Sequence, residues 1–125
     1  MSVFKTKGFA RFARRAKMED TALCDAVRRA KRGLIDAELG GGVIKQRIAR
    51  PGSGRSGGFR VIVFYQTTTR TLFIDGFAKN DQGNINAEDL IRLKELASEF
   101  LGYNSMQVKT LVDAGAWIEV NCDQQ

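Results

Sequence analysis

The apolar pattern of this chain predicts an α+β fold: two helices, a three-stranded antiparallel meander, then further helices. Three observations carry it. Apolar residues recur at helical spacing twice before Gly33, strand-length apolar segments follow one another between Val43 and Ala78, and helical spacing returns after Asn86. With 125 residues, the chain has the length for one domain with one modest core, covering 1–125.

Val3–Phe4 reads as a short opening strand. Thr6 can cap a helix running to about Lys17, whose apolar stripe is Phe9, Phe12, Ala13 and Ala16. Asp20 or Thr21 can cap a second helix to about Arg32, with Leu23, Ala26, Val27 and Ala30 at helical spacing and Gly33 as its stop. Leu34 and Ile35 read as a loop anchored on the core, and Gly40-Gly41-Gly42 breaks the chain. Val43 to Ala49 forms a strand that turns Val43, Lys45, Arg47 and Ala49 to one face.

Arg50 to Gly57 is a basic, glycine-rich loop; no Gly-Lys-Ser/Thr follows it, so it does not read as a nucleotide-binding loop. Phe59 to Gln66 is apolar on both faces beyond Arg60, the pattern of a central strand. Thr71 to Ala78 pairs with it antiparallel across a turn at Thr67–Arg70, and Lys79 to Ile85 is a polar loop. Asn86 with Asp89 marks a helix start, Leu90, Leu93, Leu96, Ala97, Phe100 and Leu101 mark its apolar side, and Gly102 ends it. A last helix starts at Ser105 and runs through Val108, Leu111 and Val112 to a break at Gly115, before a final strand from Trp117 to Val120. Tyr65 and Trp117 read as packing residues, and Tyr103 has no evident role.

Apolar residues make up 43% and charged residues 27%, a globular balance that excludes wholesale disorder. The apolar runs are too short to span a membrane, and no apolar segment follows the basic start as it would in a secretory signal. An Arg-rich, acid-poor start can also be a transit peptide, but the apolar stripe of the first helix favours a basic helix docked on the core. Cys24 and Cys122, far apart in a chain without a signal, read as reduced thiols in a cytoplasm, with Cys24 buried as a small apolar residue. Without histidine or a Cys/His spacing, no metal or other cofactor is expected. Residues 1–60 hold fifteen Lys/Arg against five Asp/Glu, and residues 61–125 hold five against nine. That asymmetry fits a polyanionic partner such as nucleic acid, and equally a solvated basic surface.

Three runs stand in order along the chain. They are Leu39-Gly40-Gly41-Gly42-Val43-Ile44-Lys45-Gln46-Arg47-Ile48-Ala49-Arg50-Pro51-Gly52, then Gly54-Arg55-Ser56-Gly57-Gly58-Phe59-Arg60, then Gly76-Phe77-Ala78-Lys79-Asn80. Together they resemble the HigB-like branch of the RelE/ParE toxin superfamily, and the resemblance covers essentially the whole chain. It implies a twisted antiparallel sheet with the N-terminal helices on one face, in agreement with the layout above. It implies a cytoplasmic toxin of a type II toxin–antitoxin pair that cleaves messenger RNA on the ribosome. Its partners would be the ribosome, the messenger and a cognate antitoxin. In this branch the antitoxin is commonly a helix-turn-helix protein through which the pair contacts operator DNA. The sister ParE branch instead poisons DNA gyrase, and that is the alternative function.

In metal-free RNA cleavage the ribose 2′-hydroxyl attacks the adjacent phosphorus and the 5′-oxygen leaves. The enzyme must align both oxygens, move two protons and neutralise charge on the phosphate. In ribosome-dependent RelE members a Lys-x-Lys pair and an Arg after Ser-Gly-Tyr hold these roles, and the matching positions are Lys45, Arg47 and Arg60. The resemblance assigns Arg60 to transition-state charge, Arg47 to the same task or to a flanking phosphate, and Lys45 to the base. Taken by themselves, Lys45 and Arg47 read as an exposed strand face. The chain departs from RelE where that protein has an Arg and a Tyr, positions that fall at Asn80 and near Asn86. Lys79 then supplies a further catalytic cation, and Asp81 a proton acceptor. Arg50, Arg55 and Asn80 are the expected contacts to messenger or ribosomal RNA. A plain nucleic-acid-binding module is a third reading.

Overall fold

A computed structural model describes residues 2–49, 58–66, 69–78 and 85–122. The described residues form β1 (Ser2–Thr6), α1 (Lys7–Arg15), α2 (Asp20–Lys31), β2 (Ala37–Gly40), β3 (Val43–Ile48), β4 (Phe59–Gln66), β5 (Arg70–Ala78), α3 (Ala87–Leu101), α4 (Ser105–Asp113) and β6 (Trp117–Val120). Their strands make one six-stranded sheet in the order β2-β3-β4-β5-β1-β6. Neighbours run antiparallel except β1 and β5, which are parallel. The α+β class is the one expected; the helices, however, divide between the two faces of the sheet.

Strand alternation explains that division. From β4, Phe59, Val61 and Val63 join a core with Phe9 and Ala13 of α1 and Leu23, Ala26, Val27 and Ala30 of α2. Ile62 and Phe64 join a second core with Ala97, Phe100 and Leu101 of α3 and Val108 and Leu111 of α4. A strand covered on both faces needs apolar residues at successive positions, which is why β4 lacks a polar side. β1 divides in the same way, with Val3 in the first core and Phe4 in the second.

Several boundaries differ from expectation. α1 stops at Arg15 because Lys17 takes a left-handed φ of 56°, which lets the Met18 N–H donate to the Ala13 carbonyl at 2.8 Å. α2 begins after Glu19 without a side-chain cap; the Asp20 carboxylate instead pairs with Lys5 of β1 at 2.8 Å. Ile35 packs on the first core as an anchored loop residue does, but Leu34 is 54% exposed. The stretch after it contains β2, an edge strand of four residues that sequence reading missed. Glycines 40, 41 and 42 turn it into β3 with φ of 87°, 62° and 86°, so the meander has four strands. Asn86 caps α3 by accepting from the Asp89 N–H at 2.8 Å, as the spacing implies. α4 carries a capping box between Asn104 and Gln107. Tyr103 does have a packing role, stacking on Phe100 and lying 5.9 Å from the Trp117 ring. Tyr65 packs against the first core, and burial holds its phenol above the ordinary value.

The cysteines require a correction. Cys24 and Cys122 form a disulfide, with Cα atoms 5.5 Å apart across a sequence separation of 98. The sheet brings them together: β6 lies beside β1, and Val120 enters the core beneath α2. Cys24 is 1% exposed, as expected of a small buried residue, but it is not a free thiol.

The Gly76-Phe77-Ala78 run gains a physical reason. A Cβ at Gly76 would collide with the Phe12 ring, which packs edge-on to Phe59. Gly76→Ala is expected to destabilise by about 1–3 kcal/mol through overpacking. Phe12→Leu in the same chain should recover part of that loss, and a double-mutant cycle of thermal melts measures the coupling.

Candidate functional site

Lys45, Arg47 and Arg60 owe their positions to the same alternation. In β3, Ile44 and Ile48 enter the first core and Gln46 reaches α2, so Lys45 and Arg47 face the other way. In β4, Phe59 and Val61 flank Arg60 and also enter the first core, which sends Arg60 to the side of Lys45 and Arg47. Arg47 pairs directly with Arg60 across the strands, and Lys45 pairs with Ile62. Paired positions in an antiparallel ladder are about 4.5–5.5 Å apart, so two guanidinium stems rise side by side. The structure therefore brings together the three cations expected to cooperate. Arg50, Arg55, Lys79, Asn80 and Asp81 lie outside the described residues.

Like charges directly opposite on a sheet destabilise it. Asp36 offsets this: its Oδ2 lies 3.0 Å from Arg60 Nε, with both side chains partly shielded from solvent. Asp36 is held in turn by Gln46, a side chain only 1% exposed. Gln46 Oε1 accepts from the Asp36 N–H at 2.9 Å, while its Nε2 donates to the carbonyls of Ala26 at 3.0 Å and Leu34 at 3.2 Å. One buried amide thus ties α2, the loop after it and β3 into a bracket beneath Arg60. A further tie runs from Arg29, whose Nη2 donates to the Arg47 carbonyl at 2.7 Å. Arg60 Nη1 is shielded from solvent and has no partner among the described residues, so within them the guanidinium retains unused donor capacity.

Asp36 and Gln46 were missed in the sequence. Asp36 fell in a stretch that the apolar pattern assigns to no element, and it carries no pattern of its own. Gln46 did carry a signal, being a polar residue between Ile44 and Ile48 on the apolar side of a strand. Among the described residues a further carboxylate in this row is Asp75 of β5, opposite Ile62, which pairs with Lys45. Asn86 spends its side-chain oxygen on the helix cap and is not a proton-transfer group.

The three cations stand on one strand face, each partly exposed. A groove of about 590 Å³ lies elsewhere, lined by Lys31, Ile35, Glu38, Tyr65 and the glycine turn. A row of partly exposed basic side chains is suited to a polyanion. A guanidinium can meet two phosphate oxygens at once.

The family described as RelE toxin of the RelE/RelB toxin–antitoxin system matches residues 1–120. The chain belongs to the RelE toxin family. Among curated proteins none matches significantly. As a RelE-family toxin it has a cognate antitoxin for a partner. Among its described residues no helix is long and apolar enough to cross a membrane.

Proposed function

We propose that this RelE-family toxin belongs to the HigB-like branch and inhibits translation by cutting messenger RNA on the ribosome in the cytoplasm. The single observation that carries this reading is the cross-strand Arg47–Arg60 pair, with Lys45 on the same face and Arg60 braced by Asp36. Two fixed guanidinium groups neutralise the charge that builds on the phosphorane, in place of a metal ion. Lys45, in its neutral amine form, takes the proton of the 2′-hydroxyl as the 2′-oxygen bonds to phosphorus. The 5′-oxygen leaves and takes a proton from water, and the messenger, held in the A site, supplies the alignment. Lys79 adds a cation, and Arg50, Arg55 and Asn80 hold flanking phosphates. The antitoxin in this reading is a helix-turn-helix protein that carries the pair to operator DNA.

The test is primer extension on a defined messenger in a purified translation system, with and without the toxin. New 5′ ends that require ribosomes are expected. An intact messenger, from a preparation that arrests growth, would replace this reading with gyrase inhibition or another non-nuclease target.

Asp36 acts here as a positioning residue. Asp36→Asn removes the ionic brace yet keeps the side chain's size. A partly exposed ion pair contributes about 1 kcal/mol or less, so the melting temperature should move little. Cleavage should fall about tenfold, because a loosened guanidinium meets the transition state less often. In an Arg60→Ala background the same change should have no further effect on cleavage; an additive effect would show that Asp36 acts by another route.

A further inference from the structure

We infer that the outer face of α1 is a second RNA-binding surface, which grips the phosphate backbone of duplex RNA on the side of the sheet away from Lys45, Arg47 and Arg60. α1 turns Lys7, Arg11, Arg14 and Arg15 to solvent, and Lys17 follows them, also exposed. Phe9, Phe12, Ala13 and Ala16 lock the opposite side of the helix into the first core, so the direction of these cations is fixed.

Nothing within the described residues balances them. Glu19 is the first acidic residue of the chain, and the ion pairs observed involve Lys5, Arg28, Arg29, Arg60 and Lys109. Helix stability does not account for them either. Arg14 and Arg15 suit the C-terminal end of the helix dipole, but Lys7 opposes it at the N-terminal end, where the first turn has no acidic residue. Lys7 with Arg11, Arg11 with Arg14 and Arg11 with Arg15 are like-charge neighbours at helical spacing, each unfavourable by about 0.2–0.5 kcal/mol. A polyanion reverses the sign of every one of these terms.

The chemistry of the face selects the polyanion. From Lys7 to Arg15 is eight residues, about 12 Å of helix, enough to meet several phosphates along one strand. Protein interfaces are built around an apolar centre from which charge is depleted. This face has none: among the described residues the large apolar ones exposed are Leu34, Ile91, Met106 and Ile118, all outside α1. Recognition by cations alone suits a phosphate backbone, read for charge and shape rather than for sequence. The face is opposite the strand side of the candidate site, so messenger and duplex can be held at once. The inference rests on the proposed nuclease reading only for what occupies the other side.

The experiment is fluorescence anisotropy of a labelled RNA duplex titrated with the whole protein across a salt series. The proteins compared are wild type, an Arg11→Gln/Arg14→Gln/Arg15→Gln triple variant, and Arg92→Gln on α3 as a charge control. Melting curves establish that each is folded. The triple variant should bind about tenfold or more weakly near 0.1 M salt, and its log–log salt slope should fall by about two to three, one step for each lost phosphate contact. Arg92→Gln should match wild type. Wild-type affinity and slope in the triple variant would overturn the inference, as would a wild-type protein that does not bind the duplex. So would an acidic peptide that displaces the duplex and binds more tightly. A toxin that leaves messenger intact, but whose triple variant loses the duplex, would refute the nuclease reading while supporting this one.

Discussion

Arg60→Ala is expected to abolish growth arrest while leaving a folded toxin that still binds its antitoxin. Removing one preorganised donor to a developing oxyanion costs about 10²–10³ in rate, and Arg60 is the cation here whose setting is most completely built. The loss in stability should be small by comparison. The Arg60–Asp36 pair is partly screened by solvent and contributes about 1 kcal/mol or less, and its removal also relieves the repulsion between Arg47 and Arg60. Induction of the variant should therefore permit growth, primer extension should show no new ends, and the purified protein should melt near wild type. Arg60→Lys should be intermediate, since an ammonium keeps the charge and loses the planar fork. A fully toxic Arg60→Ala protein would falsify the assignment.

The second large effect is expected from the disulfide. The Cys24–Cys122 bridge spans a sequence separation of 98, and closing a loop of that order removes unfolded-state entropy equivalent to about 2–5 kcal/mol. Reduction, or Cys24→Ala with Cys122→Ala, should lower the melting temperature by roughly 10 °C. The core around Cys24 should remain, because Leu23, Ala26 and Val27 stay packed on Val3 and Val63. Thiol titration of the native protein, paired with melts with and without reductant, measures it. Two titratable thiols in the untreated protein together with coincident melts would mean that no bridge forms in solution. In a reducing cytoplasm the bridge is exposed to exchange, so the two forms of the toxin would differ in lifetime more than in fold.

The parts of this fold that were legible are those with dense periodic signals. α3 announced itself by six apolar residues and a capping asparagine, and β4 by apolar residues on both faces. The three candidate cations were legible in their direction, because two-residue alternation fixes it, and their cooperation came from the resemblance. What was not legible depends on distant parts of the chain. β2 is short, half exposed and defined only by its pairing with β3. The disulfide joins residues that only the strand order brings together. Asp36 matters through a partner twenty-four residues on and a buried amide ten residues on, and neither relation leaves a local pattern.

The place of β1 within the sheet has a consequence for synthesis. β1 is made first, yet its neighbours are β5, to which it runs parallel, and β6, where Val3 meets Val120. Neither partner exists until residues 70–78 and then 117–120 have been made. Val3 and Phe4 belong to different cores, so neither core can close early. Non-local pairing of this kind folds slowly relative to local hairpins. The β2–β5 meander, which carries Lys45, Arg47 and Arg60, can pair locally beforehand. A nascent chain would thus display its cationic strands before the scaffold that fixes them is complete, and an antitoxin already present would have an interval in which to capture the toxin unfinished.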